Sequence, residues 1–385
     1  MKYLDGYRDP RAAEDLLDRI GAAVTRPWTL AEVCGGQAHH LLRFGTERAL
    51  PGGLELLHGP GCPVSSTTPE AIDLALDVAS RGRVVLCTSG DLLRVPGRRG
   101  GCLADAQARQ KDVRVVYSPL DALALARQNP DRTVVFFGVG FETTAPTAAA
   151  AVREADRLGL DNFALLPAHR RLAPAVEAML EAHGGRVQAV LTAGHVATVT
   201  GLGDFEAIAA RRRVPVVVIG PEPLDLLEGL WLAVRMLERG EYAVANQYAR
   251  AVRPEGNPHA LAAIDAVFEP TDAAWPGLGL VPRSGLGLRE RYRRFDALTR
   301  FPVARSAGVG GCSAACGGVV SGRVKPHECR EFQTGCVPDR PLGAPMASPE
   351  GACAAYHRYR GRLGPVALPS HVGSVAAAAQ GGVER

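Results

Sequence analysis

No apolar run in the 385-residue chain approaches the roughly 18 residues that a membrane-spanning helix needs. The opening MKYLDGYRDPRAAEDLL carries charges where a secretory leader carries an apolar core, so the chain reads as cytoplasmic. Aromatics make up only 5%, and the arginine clusters at Arg98-Arg99, Arg211 to Arg213 and Arg291 to Arg294 are short and scattered. A nucleic-acid surface needs a basic stripe on one face, often with aromatics, and a net charge of +4 leaves these clusters as solvated surface. A complete dinucleotide fingerprint is also missing. Gly138-Val-Gly-Phe-Glu142 follows a strand pattern and opens a helix, but it lacks the third glycine and the acidic residue that closes a second strand. That turn either meets a partner's polar groups or caps the helix through Thr143 or Thr144.

What is present is a 46% apolar content, enough for about two or three domains with cores of their own. Nine cysteines in a chain without an export signal point to metal ligands or redox groups rather than structural disulfides. Four of them, Cys316, Cys329, Cys336 and Cys353, are separated by twelve, six and sixteen residues among prolines and glycines that prevent a long helix or regular strand. Their number matches a 4Fe-4S cluster or a structural zinc. The lack of a tight C-x2-4-C pair among these four favours the iron-sulfur cluster; unligated or disulfide-linked cysteines are the remaining reading.

Most of the chain alternates short apolar runs with helical patterns, the signature of α/β folding with parallel sheets. Strands are expected at Leu54 to His58, Val84 to Cys87, Val113 to Tyr117, Thr133 to Val139, Phe163 to Leu166, Gln188 to Thr192 and Val214 to Ile219. Helices are expected at Pro10 to Val24, Pro69 to Ser80, Pro119 to Gln128, Thr144 to Leu158, Leu172 to His183, Asp204 to Arg212 and Leu224 to Glu238. The economical architecture is two open α/β domains facing one another across a cleft, followed by an irregular C-terminal region. It divides the chain into an N-terminal helix (1–25), a first α/β domain (26–130), a second (131–285) and an iron-sulfur region (286–385). That last region is entered through a basic helix near Leu288 to Arg300 and closes on a frayed tail.

The loops at the carboxyl ends of the strands carry the chemistry-bearing residues, because ligands of open parallel sheets sit there. Glu32 to Gly45 reads as such a loop. It places Cys34 before two glycines whose N–H groups favour a thiolate, with His39 and His40 either as ligands or as ordinary polar residues. In His58-Gly-Pro-Gly-Cys62-Pro-Val-Ser65 the turn exposes Cys62 near the positive end of the Pro69 helix, which would lower its pKa. Ser65 stands three residues on, so no C-x-x-C pair exists there. His195 follows another strand at a cleft edge, and Cys102 reads as buried and inert.

Glu32-Val-Cys-Gly-Gly, His58-Gly-Pro-Gly-Cys-Pro-Val, Gly90-Asp with Arg94-Val-Pro-Gly, Gly140-Phe-Glu-Thr-Thr-Ala-Pro, Gly194-His-Val and the C-terminal cysteine frame occur in that order. Together, over about Arg26 to Arg360, they resemble the hydrogenase maturation factor HypD family. The resemblance implies two α/β domains around a cleft, a separate 4Fe-4S region, and a scaffold role. In that role a HypC-like chaperone helps to hold the iron on which the Fe(CN)2CO unit of nickel-iron hydrogenase is assembled, and a HypE-like protein delivers cyanide. By the same resemblance Cys34 and Cys62 match cysteines of the iron-handling cleft, and His39 a histidine beside the first. Cys316, Cys329, Cys336 and Cys353 match the cluster frame, leaving Cys312 outside it. The chain departs from the family at Gln37-Ala38 within CGGHTH, at Ser65 in place of the second cysteine of CPVC, and at Pro345 in place of a further cysteine. With Ser65 unable to form a disulfide, any redox pairing of Cys62 is expected to use Cys87. The alternative to a scaffold is a stand-alone iron-sulfur reductase acting on a small molecule in the same cleft. That enzyme would require an acid–base pair of its own.

Overall fold

The computed structural model describes residues 5–302 and 313–359. Its strands are β1 (Trp28–Glu32), β2 (Leu54–His58), β3 (Val84–Thr88), β4 (Val113–Val115), β5 (Thr133–Gly140), β6 (Phe163–His169), β7 (Ala189–Ala193), β8 (Val216–Ile219), β9 (Val244–Asn246), β10 (Phe268–Trp275) and β11 (Gly279–Leu288). One sheet has the order β2-β1-β7-β8-β9 and a second the order β4-β3-β5-β6, and every pairing in both is parallel.

The division expected at 130/131 therefore crosses both sheets. β1 and β2 join β7 to β9, whereas β3 and β4 join β5 and β6. The chain leaves the first sheet after β2 through the helix Pro69–Ala79 and returns after β6 through Leu172–Ala182. Hydrophobic patterning identifies strands but not their neighbours, so a crossing of this kind leaves no local mark.

Both sheets are covered on both faces, and this is why their strands read as continuous apolar runs. In β8, Val216 and Val218 enter one core while Val217 and Ile219 enter the core on the opposite face. In β3, Val85 and Cys87 face one core and Val84 and Leu86 the other. The flanking helices start where their caps dictate. Asp9 accepts from the Arg11 N–H at the head of Pro10–Ala23, Thr68 caps Pro69–Ala79, and Ser118 with Asp121 forms a capping box on Pro119–Gln128. Ile72, Ala75, Val78 and Ala79 place the buried face of the second of these helices at the expected three- and four-residue spacing.

Two departures concern the segment after β9. The antiparallel pair β10/β11 was not foreseen, because Pro270 and Pro282 break the strand pattern. A two-stranded ribbon tolerates them, since each strand has a free edge. The basic helix expected near Leu288 to Arg300 is instead the end of β11, a 3-10 turn at Glu290–Phe295 and a single helical turn at Ala297–Arg300. The cysteine segment does lack long elements: its helices are Ser313–Val320, Ala344–Ala347 and Ala352–Tyr359. Cys312 and the expected frayed tail lie outside the described residues. No helix among the described residues is long and apolar enough to cross a membrane.

Candidate functional site

In the first sheet the chain moves from β1 outward to β2, while β7 lies on the other side of β1. The loops at the ends of β1 and β7 therefore part, and a crevice opens between them. Cys34 follows β1, Cys62 follows β2 and His195 follows β7, so all three reach one cleft of about 500 Å³. Phe141, at the end of β5 in the second sheet, forms part of its wall, and Pro349 and Glu350 of the cysteine segment close it.

Cys34 caps the helix Gly35–Arg43, a stretch expected to be a loop. Two leading glycines weaken helix propensity there, yet Ala38, Leu41 and Leu42 bury one helical face. Gly35 is needed for proximity. A Cβ at this position would lie 2.9 Å from the Cys62 nitrogen and would collide with the Glu350 carbonyl. Gln37 donates through Nε2 to the carbonyls of Thr192 and Ile219, 3.2 Å each, which ties the helix to β7 and β8. Gln37 is thus a buried structural residue. Its Oε1 has no protein partner.

The sulfur of Cys62 is held by hydroxyls, with Ser65 Oγ at 3.0 Å and Ser348 Oγ at 3.2 Å, and it accepts the Ser65 N–H at 3.3 Å. The surroundings of Cys34 and Cys62 work against the thiolates expected there. Burial pushes both thiols up, and the Glu32 carboxylate adds to the effect at Cys34. These effects outweigh the Gly36 and Gln37 amides at Cys34 and the Ser348 and Ser65 donors at Cys62. Both are therefore thiols that a soft cation can deprotonate on binding.

His39 lies on the cleft wall, but its ring is occupied, with Nδ1 at 3.3 Å from the Pro349 carbonyl and Nε2 at 3.2 Å from the Tyr359 hydroxyl. His40 Nδ1 pairs with the Pro221 carbonyl at 2.5 Å. His195, by contrast, opens onto the cleft with Nδ1 at 4.0 Å from Cys34 Sγ. Desolvation by the cleft walls lowers its pKa, which leaves the neutral ring that a metal prefers.

Sequence reasoning missed a buried polar network behind the cleft. The Glu32 carboxylate accepts the Cys34 N–H at 2.5 Å and contacts His58 Nδ1 at 2.9 Å. His58 Nε2 meets the Tyr356 hydroxyl at 3.2 Å and Glu47 at 3.5 Å, and Tyr356 donates to Glu47 at 2.7 Å. Burial alone would lower the His58 pKa, but its two carboxylate partners raise it to about 9. Burial likewise opposes ionisation of Glu47, whose bonds to His58 and Tyr356 hold it at about 2. Burial pushes the Glu32 carboxyl up against its bonds to His58 and the Cys34 N–H, so Glu47 is the partner held firmly ionised beside the charged His58. Glu32 and His58 stand at the ends of β1 and β2, but nothing in the sequence ties them to Glu47 and Tyr356, which lie in the helices Thr46–Ala49 and Ala352–Tyr359.

Cys316, Cys329, Cys336 and Cys353 line one small cavity with Val319, Phe332 and Met346. Cys87 is elsewhere, fully buried among Val85, Val116 and Ala122 in the second sheet. The expected pairing of Cys62 with Cys87 therefore fails, because β2 and β3 belong to different sheets. Cys102 caps the short helix Leu103–Ala108 and is partly exposed rather than buried. Pro345 opens the turn Ala344–Ala347 beside the four-cysteine cavity. Among the described residues, no three His, Cys, Asp or Glu side chains close to the spacing of a single metal ion.

The family model HypD, described as "Hydrogenase formation hypA family", matches residues 11–360. The chain belongs to the HypD family. Its relatives include the hydrogenase maturation factor HypD of Rhodobacter capsulatus, 43% identical over 373 residues that cover 94% of this chain and 99% of that protein. HypD of Escherichia coli strain K12 is 42% identical over 368 residues, 94% and 98% of the two chains, and HypD of Cupriavidus necator 38% identical over 369 residues, 93% and 97%. A role in hydrogenase maturation follows from this membership. The cysteine cleft and the four-cysteine cavity are then features of a HypD-family chain.

Proposed function

We propose that this HypD-family chain is a cytoplasmic scaffold on which the Fe(CN)2CO unit of nickel-iron hydrogenase is assembled. Its partners are a HypC-like chaperone and a HypE-like cyanide donor. Cys34 and Cys62 hold the iron, which is cargo and must leave again. Two soft thiolates from the chain leave coordination positions for a chaperone ligand and for the diatomic ligands, whereas a full protein ligand set would trap the product. Cys316, Cys329, Cys336 and Cys353 fit a 4Fe-4S cluster. Four thiolates around one cavity supply the ligand count of a cubane. When bound, that cluster supplies electrons.

The observation that carries this reading is the arrangement of six cysteines. Two face one cleft and four face one cavity, and the segment Ala344 to Cys353 borders both. Anaerobic reconstitution with iron and sulfide, followed by absorbance and iron analysis, tests the cluster assignment. Each single Cys→Ala change among the four should lose the cluster, while Cys34→Ala and Cys62→Ala should retain it. Full occupancy in Cys336→Ala contradicts the assignment.

A further inference from the structure

Tyr248 follows β9, and its ring sits in a slot between the ends of two strands of the first sheet. A Cβ on Gly194, after β7, would lie 2.7 Å from its Cδ1, and a Cβ on Gly220, after β8, would lie 2.7 Å from its Cδ2. Only glycine at both positions leaves room for the ring. The Arg250 guanidinium covers one face of the ring, 4.4 Å from its centroid, and lies over Tyr7 at 4.1 Å as well. Arg250 is clamped in turn by both oxygens of Asp225, at 2.7 and 2.6 Å, and that carboxylate is fully buried. The preceding residue is tied too: Gln247 donates to Asp225 at 2.8 Å and accepts the Gly220 N–H at 3.1 Å. The ring is therefore held from several sides, on the wall of the cysteine cleft where His195 also stands.

Tyr248 carries the one hydroxyl among the described residues that line this cleft. That hydroxyl has no hydrogen-bond partner among the described residues. The neighbouring histidines and Gln37 offer acceptors instead. His39 and His40 each spend Nδ1–H on a carbonyl, of Pro349 and Pro221, so in the neutral rings Nε2 accepts. Gln37 has spent its nitrogen on Thr192 and Ile219. Iron-bound cyanide needs a donor. It is held through carbon and keeps a lone pair and negative charge on nitrogen, whereas the oxygen of bound carbon monoxide is a poor acceptor. We propose that Tyr248 is a substrate-binding residue whose hydroxyl donates a hydrogen bond to the nitrogen of one cyanide ligand on the iron held in the cleft. The inference rests on the scaffold reading above. A hydrogen bond to an anion is stronger than one to a neutral group, so this contact tells cyanide from carbonyl and fixes the side of the iron that one cyanide occupies. Fastening the N-terminal turn through Tyr7 is the other service of the stack, and it does not need the hydroxyl.

The test is infrared spectroscopy of the anaerobically isolated complex of the full-length chain with a HypC-like chaperone, wild type beside Tyr248→Phe. The phenylalanine ring keeps the glycine slot and the guanidinium contact, so the melting temperature should match wild type. Both complexes should show cyanide and carbonyl bands. Loss of the donor returns electron density to the cyanide nitrogen and to the iron, so one cyanide band and the carbonyl band should move to lower wavenumber. On transfer to heavy water that cyanide band should shift in wild type and stay in place in Tyr248→Phe. Bands at identical wavenumbers in the two proteins overturn the proposal, and so does a heavy-water shift that survives the substitution. Wild-type cyanide bands that ignore heavy water overturn it without any variant. Absence of all cyanide and carbonyl bands from the wild-type complex would instead refute the scaffold reading.

Discussion

The sulfur of Cys34 stands 4.0 Å from Nδ1 of His195, across the crevice where β1 and β7 part. A cation between the two would meet one soft and one borderline donor, the combination that suits iron. His195→Ala should therefore lower retention of ferrous iron in the cleft about tenfold, the scale on which groups supporting a metal site act. His39→Ala should leave retention unchanged and lower the melting temperature, because its ring bridges Pro349 and Tyr359. Iron retained after gel filtration, measured beside thermal melts, distinguishes the two. The reverse pattern would make His39 the ligand.

His58 gives the fold a pH dependence with a definite sign. Its pKa is raised from 6.5 to about 9 by Glu32 and Glu47 against the cost of burial. A basic group raised on folding stabilises fully below its unfolded pKa and loses that contribution as the pH climbs through the folded value. The contribution is about 3 kcal/mol below pH 6.5, fading towards pH 9. Wild type and His58→Gln should therefore differ most in denaturant midpoint at pH 6 and converge above pH 9. A gap that widens with pH would contradict the charged state of His58.

Glu142 acts in the opposite sense to an ion-paired carboxylate. Burial raises its pKa to about 7, although it accepts the Leu172 N–H at 3.0 Å at the head of a helix. Arg171 lowers the value and Asp204 raises it, without reversing the effect of burial. A carboxyl favoured in its neutral form stabilises below about 4.5 and loses that contribution as the pH rises through 7. Glu142→Gln should be at most equal to wild type in melting temperature at pH 5 and should gain on it above pH 7.5. A constant difference across that range would refute the shift.

The β10/β11 turn docks on the helix that carries Cys316. Gly277 has a φ of +74°, and a Cβ there would collide with the Gly317 carbonyl, one residue from that cysteine. Gly277→Ala therefore strains its own backbone, at about 1 to 3 kcal/mol, and pushes Cys316 off the cavity. Cluster loading should fall while the far-ultraviolet dichroism of the α/β sheets is kept. Wild-type loading at a wild-type melting temperature would show that this contact does not place Cys316.

Most strands buried on both faces were legible as short apolar runs, but β1 (Trp28–Glu32), with Thr29 and Glu32 among its five residues, was not among those expected. Leu54–His58 and Pro119–Gln128 lie where their patterns predict. Strand partners were not legible. Nothing near Leu54 or Ala189 says that both flank β1, so the pairing of Cys62 with Cys87 looked reasonable and failed. Cys34, Cys62 and His195 could be named from their strand-end positions, and the structure brings them to one cleft. Ser348 could not. It contacts Cys62 across 286 residues of chain from within an irregular segment, where no periodicity marks the side that a residue faces. Thiol protonation was misjudged for a related reason. Local amides are visible in sequence, whereas the burial that outweighs them is a tertiary property.

Infrared spectroscopy of the anaerobically isolated complex with a HypC-like chaperone tests the scaffold role most directly. The wild-type complex should show cyanide and carbonyl stretching bands of a decorated iron. Cys34→Ala and Cys62→Ala should lose or shift those bands while the visible absorbance of the cluster persists. Unchanged bands in both variants, with the cluster intact, would place the decorated iron outside the cleft and contradict the account.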